Sequence, residues 1–218
     1  YALKGWHEQE TWRWPVDRDA YGTYLHQFNP VQFDPEAWLD LAEEAGMDYL
    51  VFTTKHIDGF CNWDSQHTDF KITNTPYGED VLAMLAEACQ RRGMPLGLYY
   101  SIPDMHHPAY PHAGRPYEFS EPQPGNTPDR DVYVAYIRAQ AEELLTNYGP
   151  IAFWWWDANV MEYHDESFHE YLRKLQPGIE INNRGFGKGD FGTPERDWDD
   201  NVNTLDHFAE PTEACQSI

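Results

Sequence analysis

The stretch Asp34-Pro35-Glu36-Ala37-Trp38-Leu39-Asp40-Leu41-Ala42-Glu43-Glu44-Ala45-Gly46 runs, after Met47 and Asp48, into Tyr49-Leu50-Val51-Phe52-Thr53-Thr54-Lys55-His56. Asp34 reads as an N-cap, Pro35 takes the first helical position, acids fill the first turn and Gly46 stops the helix. The apolar run Tyr49 to Phe52, closed by Thr53 and Thr54, is short, continuous and rich in strand formers, as expected of a strand buried on both faces. The same unit recurs downstream. A helix from Glu79 to Arg92, with Val81, Leu82, Leu85 and Ala88 at three-and-four spacing and Gly93 as C-cap, leads into a strand from Pro95 to Ser101. A helix from Asp129 to Asn147 stops at Tyr148-Gly149-Pro150 before a strand from Ile151 to Trp156. A last helix, Glu166 to Leu175, ends at Pro177-Gly178 and precedes Ile179-Glu180-Ile181-Asn182.

Helices alternating with short apolar strands imply parallel pairing through right-handed crossovers, hence a doubly wound sheet or a (β/α) barrel. The strand ends favour the barrel. Each carries unusual polar or aromatic residues: Lys55-His56, Tyr99-Tyr100-Ser101, Asp157, and Asn182-Asn183-Arg184. In a barrel these converge on one site, whereas an open sheet spreads them along an edge. The segments 57–78 and 102–128 on that side are long, and those on the other side short, the usual asymmetry of barrel enzymes. No G-x-G-x-x-G joins a strand to a helix. The expected fold is α/β, a (β/α)8-like TIM barrel, with residues 1–218 as a single catalytic domain. The chain opens at Tyr1 without Met or a signal segment and closes at Ile218 in mid-element. It therefore reads as a fragment of a barrel lacking N- and C-terminal parts.

Composition narrows the function. Nine tryptophans, fourteen tyrosines, eleven phenylalanines and 41% hydrophobic residues describe a packed globular protein. Mean hydropathy is −0.74, and no apolar run approaches the ~18–20 residues of a membrane-spanning helix. The net charge of −22 repels phosphate backbones and anionic lipid, so neither nucleic acid nor membrane is an expected partner. Cys61, Cys89 and Cys215 form no C-x-x-C and read as isolated thiols. Oligomeric state is not legible.

Asp157 follows Phe153-Trp154-Trp155-Trp156, a carboxylate at a strand end beside an indole wall. It is either a terminal cap on a core strand or an acid held against a sugar-sized platform, since sugar C–H faces pack on indole rings. The loop Gly192-Thr193-Pro194-Glu195-Arg196 offers a second acid, Glu195, which taken alone is a solvated loop charge. Two carboxylates on one rim can cleave a glycosidic bond, with retention when they stand about 5–5.5 Å apart and inversion when farther. Lys55, His56, Tyr99 and Arg184 would then donate to substrate hydroxyls or to the nucleophile, although a strand-end His can also simply cap a carbonyl. His106, His107 and His112 in one loop, with His164 and His169 in another, raise a metal alternative, but no H-E-x-x-H supports it, and no G-x-S-x-G supports a serine nucleophile. The loop 102–128, rich in Pro and aromatics, is expected to form a fixed wall whose histidines face the substrate.

Taken together these residues resemble glycoside hydrolase family 29, the α-L-fucosidases. The resemblance rests on Phe28-Asn29-Pro30 through Phe33-Asp34-Pro35-Glu36-Ala37-Trp38, on Tyr49-Leu50-Val51-Phe52-Thr53-Thr54-Lys55-His56-Ile57-Asp58-Gly59-Phe60-Cys61-Asn62-Trp63, on Gly97-Leu98-Tyr99-Tyr100-Ser101, on Asn147-Tyr148-Gly149-Pro150, on the strand ending at Asp157 and on Gly192-Thr193-Pro194-Glu195. It implies a retaining exo-α-L-fucosidase acting on fucosylated oligosaccharides or glycoconjugates, with Asp157 as nucleophile and Glu195 as acid/base. His56, Tyr99, Trp155 and Arg184 would contact fucose, and Glu8 would bind its hydroxyls. No metal or organic cofactor is implied, and a periplasmic or secreted setting is expected over a cytoplasmic one. Ile57 departs from the family, many of whose members carry a second His there, and the family's early His-Trp-Gly is missing. The rivals are a barrel hydrolase of the same family acting on another glycan, and a carbohydrate-binding homologue without catalysis.

Overall fold

The computed structural model describes residues 18–111, 124–159, 163–194 and 211–213. A short helix α1 (Arg18–Gly22) and a 3-10 turn (Thr23–His26) precede four helix–strand units. These are α2 (Pro35–Glu44) with β1 (Leu50–Lys55), α3 (Val81–Arg92) with β2 (Leu96–Ser101), α4 (Arg130–Asn147) with β3 (Phe153–Asp157), and α5 (Glu166–Leu175) with β4 (Glu180–Ile181). The boundaries follow local chemistry. Asp34, Asp80, Asp129 and Asp165 each stand in extended backbone and accept N–H bonds from the first turn of the helix that follows, caps that stabilise by about 1 kcal/mol apiece. Gly93 ends α3 in the left-handed conformation at φ 70°, which a side chain would resist.

The pairings among these four strands are parallel and their spatial order is β1-β2-β3-β4, the order of the chain. A doubly wound sheet reverses its order at a switch point; this sheet does not reverse, and so curves as the arc of a (β/α) barrel. Single parallel bridges prolong the arc past β4, from Asn182 to Phe191 and from Gly192 to Thr212.

The pleat then sorts side chains. Leu96, Leu98 and Tyr100 of β2, Trp154 and Trp156 of β3 and Ile181 of β4 share one buried core with Leu82 and Leu85 of α3, Ile137 and Leu144 of α4, and Phe168 and Leu172 of α5. The alternate residues, Gly97 and Tyr99 beside Phe153 and Trp155, turn to the inner face of the arc. Segment 57–78 is held to the scaffold: Glu143 of α4 accepts from the Trp63 indole N–H at 3.2 Å, the Ser65 hydroxyl at 2.9 Å and the Gln66 amide at 2.7 Å. Cys61 and Cys89 are buried free thiols, while Cys215 lies outside the described residues. Among the described residues no helix is long and apolar enough to cross a membrane.

Candidate active site

At the C-terminal end of the arc, four strand ends bring five side chains together. Ser101 of β2 is in register with Asp157 of β3, and Tyr99 with Trp155, so Tyr99, Trp155 and Asp157 project from one face within two residues of each other. The Tyr99 hydroxyl donates to Asp157 Oδ2 at 2.5 Å. Arg184, just past β4, donates from a terminal guanidinium nitrogen to Asp157 Oδ1 at 3.0 Å. Each carboxylate oxygen thus accepts from one of these two donors. The Arg184 guanidinium lies 4.7 Å from the Trp155 ring centroid. Its Nε and its other terminal nitrogen also donate to Thr193, with Nε at 2.7 Å from the hydroxyl and the terminal nitrogen on the Thr193 carbonyl. His56 completes the wall by stacking on Tyr99, with centroids 5.5 Å apart and planes 4° from parallel, and Tyr99 in turn stacks on Trp155 at 5.4 Å. The side chains of Asp157 and Arg184 are each 20% exposed, accessible from the rim yet flanked by rings.

Lys55 does not join them. It was expected to donate to a substrate; its side chain is fully buried, with Nζ 3.1 Å from Asp104 Oδ2 and above the rings of Tyr100 and Tyr136. The reason is a β-bulge. Thr53 pairs with Tyr99 but Lys55 pairs with Tyr100, so the register slips by one residue at Thr54. Lys55 is carried to the helix-facing side, and His56, which regular alternation from Thr53 would have sent there, faces the site instead. Burial alone would lower the Lys55 pKa, but the Asp104 carboxylate together with Tyr100 and Cys61 outweighs it and holds the ammonium above its ordinary range.

Glu8 and Glu195 lie outside the described residues, as does His112. The expected wall of histidines takes another form over 102–111. His107 packs between Tyr133 and Tyr136, its ring 4.2 Å from that of Tyr136, and His106 stacks on Phe70 at 4.3 Å. Neither lies among the groups that hold Asp157. Among the described residues no three His, Cys, Asp or Glu side chains gather as a metal site would need. Ile57 is 3% exposed and belongs to the core.

Three features had no signal in the sequence. Thr193 is buried and anchors Arg184. Ala158, directly after Asp157, adopts φ 57°, a left-handed conformation that a non-glycine residue resists and that turns the chain sharply away from the strand end. Glu213, aligned on Gly192 through its backbone N–H at 2.8 Å, accepts hydrogen bonds from Trp155 and Tyr49; burial pushes its carboxyl pKa up, against those bonds and the Arg184 charge. Beside Asp157 lies a hollow of about 360 Å³ lined by Asn159, His164, Asn183 and Arg184. A larger cavity of about 760 Å³ runs along the β1 edge past His56, Tyr99 and Asp58.

The model of the family described as alpha-L-fucosidase matches residues 4–218. The chain belongs to the alpha-L-fucosidase family. Alpha-L-fucosidase 1 of Arabidopsis thaliana is 32% identical to it over 159 residues, which are 69% of this chain and 28% of the plant protein. Among solved structures, alpha-L-fucosidase isoenzyme 1 from Paenibacillus thiaminolyticus is 40% identical with a TM-score of 0.74, covering 81% of this chain and 46% of that one. The alpha-L-fucosidase from Lactobacillus casei in complex with alpha-L-fucose product is 29% identical with a TM-score of 0.79, covering 98% and 70%. The chain therefore spans little more than a quarter of the plant fucosidase and just under half of the Paenibacillus one.

Proposed function

We propose that this chain carries the cleaving centre of a retaining, exo-acting α-L-fucosidase whose nucleophile is Asp157. One observation carries the reading: both oxygens of the Asp157 carboxylate are oriented, by Tyr99 and Arg184, against the indole of Trp155. A carboxylate held this way attacks the anomeric carbon as the bond to the leaving oxygen breaks and an acid gives that oxygen a proton. Water then opens the glycosyl ester, the same acid group now taking the proton, and fucose leaves with its configuration kept. Trp155 offers a ring to the C–H face of the sugar, while His56, Tyr99 and Arg184 offer polar atoms to its hydroxyls. The substrate class is a fucosylated oligosaccharide or glycoconjugate, supported by the Lactobacillus casei relative, captured with α-L-fucose. No step needs a metal or organic cofactor.

For the acid, Glu195 follows from the family resemblance, and Glu213 is favoured by its contact with Trp155 and its raised pKa, which suits a proton donor. The test is a panel of nitrophenyl glycosides and one fucosyl disaccharide. The α-L-fucoside should be turned over about a hundredfold faster than any other glycoside, and another glycoside hydrolysed as fast would overturn the fucose assignment. Replacing the true acid by Ala should cost about a hundredfold or more on the disaccharide and far less on the activated aryl fucoside, because only the former needs protonation. Equal losses on both substrates remove that residue from the role.

A further inference from the structure

Two fully buried charges stand behind the site without touching it. Lys55 and Asp104 form an ion pair at 3.1 Å, their side chains 0% and 2% exposed. Burying a pair costs desolvation that an apolar pair of the same shape avoids, so its presence calls for a reason other than stability. Its surroundings supply one. Lys55 is the residue that the bulge displaces, and its ammonium is fixed between Asp104 and the rings of Tyr100 and Tyr136. Asp104 Oδ2 also accepts from the Tyr136 hydroxyl at 3.1 Å, and Oδ1 accepts from the amides of His106 and His107 at 3.0 and 2.9 Å. Gly59 presses so closely on this carboxylate that a Cβ there would stand 2.1 Å from Oδ1. The Met105 amide donates to the Ile57 carbonyl at 2.8 Å, and the Gly59 amide to the His56 carbonyl at 2.9 Å. The chain on both sides of His56 is thereby tied to one carboxylate.

We infer that the Lys55–Asp104 pair is a positioning device: it locks the bulge in β1 and the turn after β2 together, and so sets the His56 ring parallel over Tyr99, the residue that donates to Asp157. An apolar pair would fill the space but would not fix the register, because hydrophobic contact is non-directional. The inference rests on the proposed function only in taking His56 to be part of the fucose wall.

The test is a cycle between the pair and His56. Lys55→Met with Asp104→Asn removes both charges, keeps the volume and leaves an oxygen for the His106 and His107 amides. With melting temperature near the parent's, this double change should lower kcat/KM on an aryl α-L-fucoside about tenfold or more, yet less than about twofold when His56→Ala is already present. The same factor in both backgrounds, or no loss in the first, overturns the inference. Should the double variant not fold, Tyr136→Phe removes only one donor to Asp104 and should cost about two- to fivefold, again only when His56 is present; an equal loss in both backgrounds overturns it. NMR gives a reading free of the activity. NOEs between the His56 and Tyr99 rings should weaken in the variant, and NOEs unchanged by it contradict the inference. If the parent hydrolyses no fucoside while these NOEs still weaken, the proposed function fails and the positioning role stands.

Discussion

Trp154, Trp155 and Trp156 are the same residue three times, and they do two different things. Trp154 and Trp156 are 0% exposed and face the helices. Trp156 meets Tyr100, Trp154, Phe168 and Phe186 at ring distances of 5.0 to 5.6 Å. Trp155, one residue away, turns inward to stack on Tyr99 beneath Arg184. The pleat alone makes this difference, so a strand that looks uniformly apolar carries the core on one face and the chemistry on the other. Trp156→Ala should break the first role, losing about 3–5 kcal/mol for a large buried ring, a sizeable part of the ~5–15 kcal/mol that holds a typical domain together. Trp155→Ala should cost about 1–3 kcal/mol but reduce kcat/KM on an aryl fucoside by well over tenfold. Urea unfolding and kinetics on both variants decide it; Trp156→Ala that is stable but inactive would mean that the faces have been assigned the wrong way round.

Much of this was readable beforehand. The Asp34 cap, the Gly93 stop and the apolar strand runs are local signals, and the structure places helices α2 to α5 and strands β1 to β4 within two or three residues of where those signals put them, while the short α1 was not read from the sequence. Convergence of His56, Tyr99, Trp155, Asp157 and Arg184 follows from parallel strands in chain order; the helix–strand alternation implies the parallel pairing, and the polar strand ends favoured the barrel order. What failed is tertiary. Nothing in Thr53-Thr54-Lys55 announces a bulge, so Lys55 was expected in the site on simple proximity to His56. His106 and His107 were expected to face substrate; what the sequence did not show is that Asp104 takes both their amides and that their rings pack on Phe70 and Tyr136. Glu213 reaches Trp155 from beside a single bridge, Gly192 to Thr212, which leaves no periodic pattern.

The contrast between the two faces sharpens at a pair of buried carboxylates. Asp104 has an ammonium partner on the helix side, and despite its burial it is held below its ordinary range by Lys55 together with His106 and His107. Asp58, beside the cavity at the β1 edge, has the Tyr21 hydroxyl at 3.0 Å. Burial pushes its pKa up to about 6, against the opposing effect of the Tyr21 bond. Because the folded value lies above the unfolded one, the folded state keeps this proton longer. The resulting stabilisation is full below about pH 4 and is lost as pH rises to about 6, a change of order 1–3 kcal/mol. Asp58→Asn should flatten that part of the stability curve. Unfolding free energies measured at pH 4, 5, 6 and 7 test it, and a variant with the parent's full slope would show that Asp58 does not carry the effect.

The central claim is that Asp157 attacks the sugar. Asp157→Gly should reduce hydrolysis of an aryl α-L-fucoside by about a thousandfold or more while the protein stays folded. Added azide should then restore part of the turnover by entering the vacated space, and the product should be the inverted β-L-fucosyl azide. Undiminished hydrolysis by folded Asp157→Gly, or a rescue product that keeps the α configuration, would contradict Asp157 as the nucleophile.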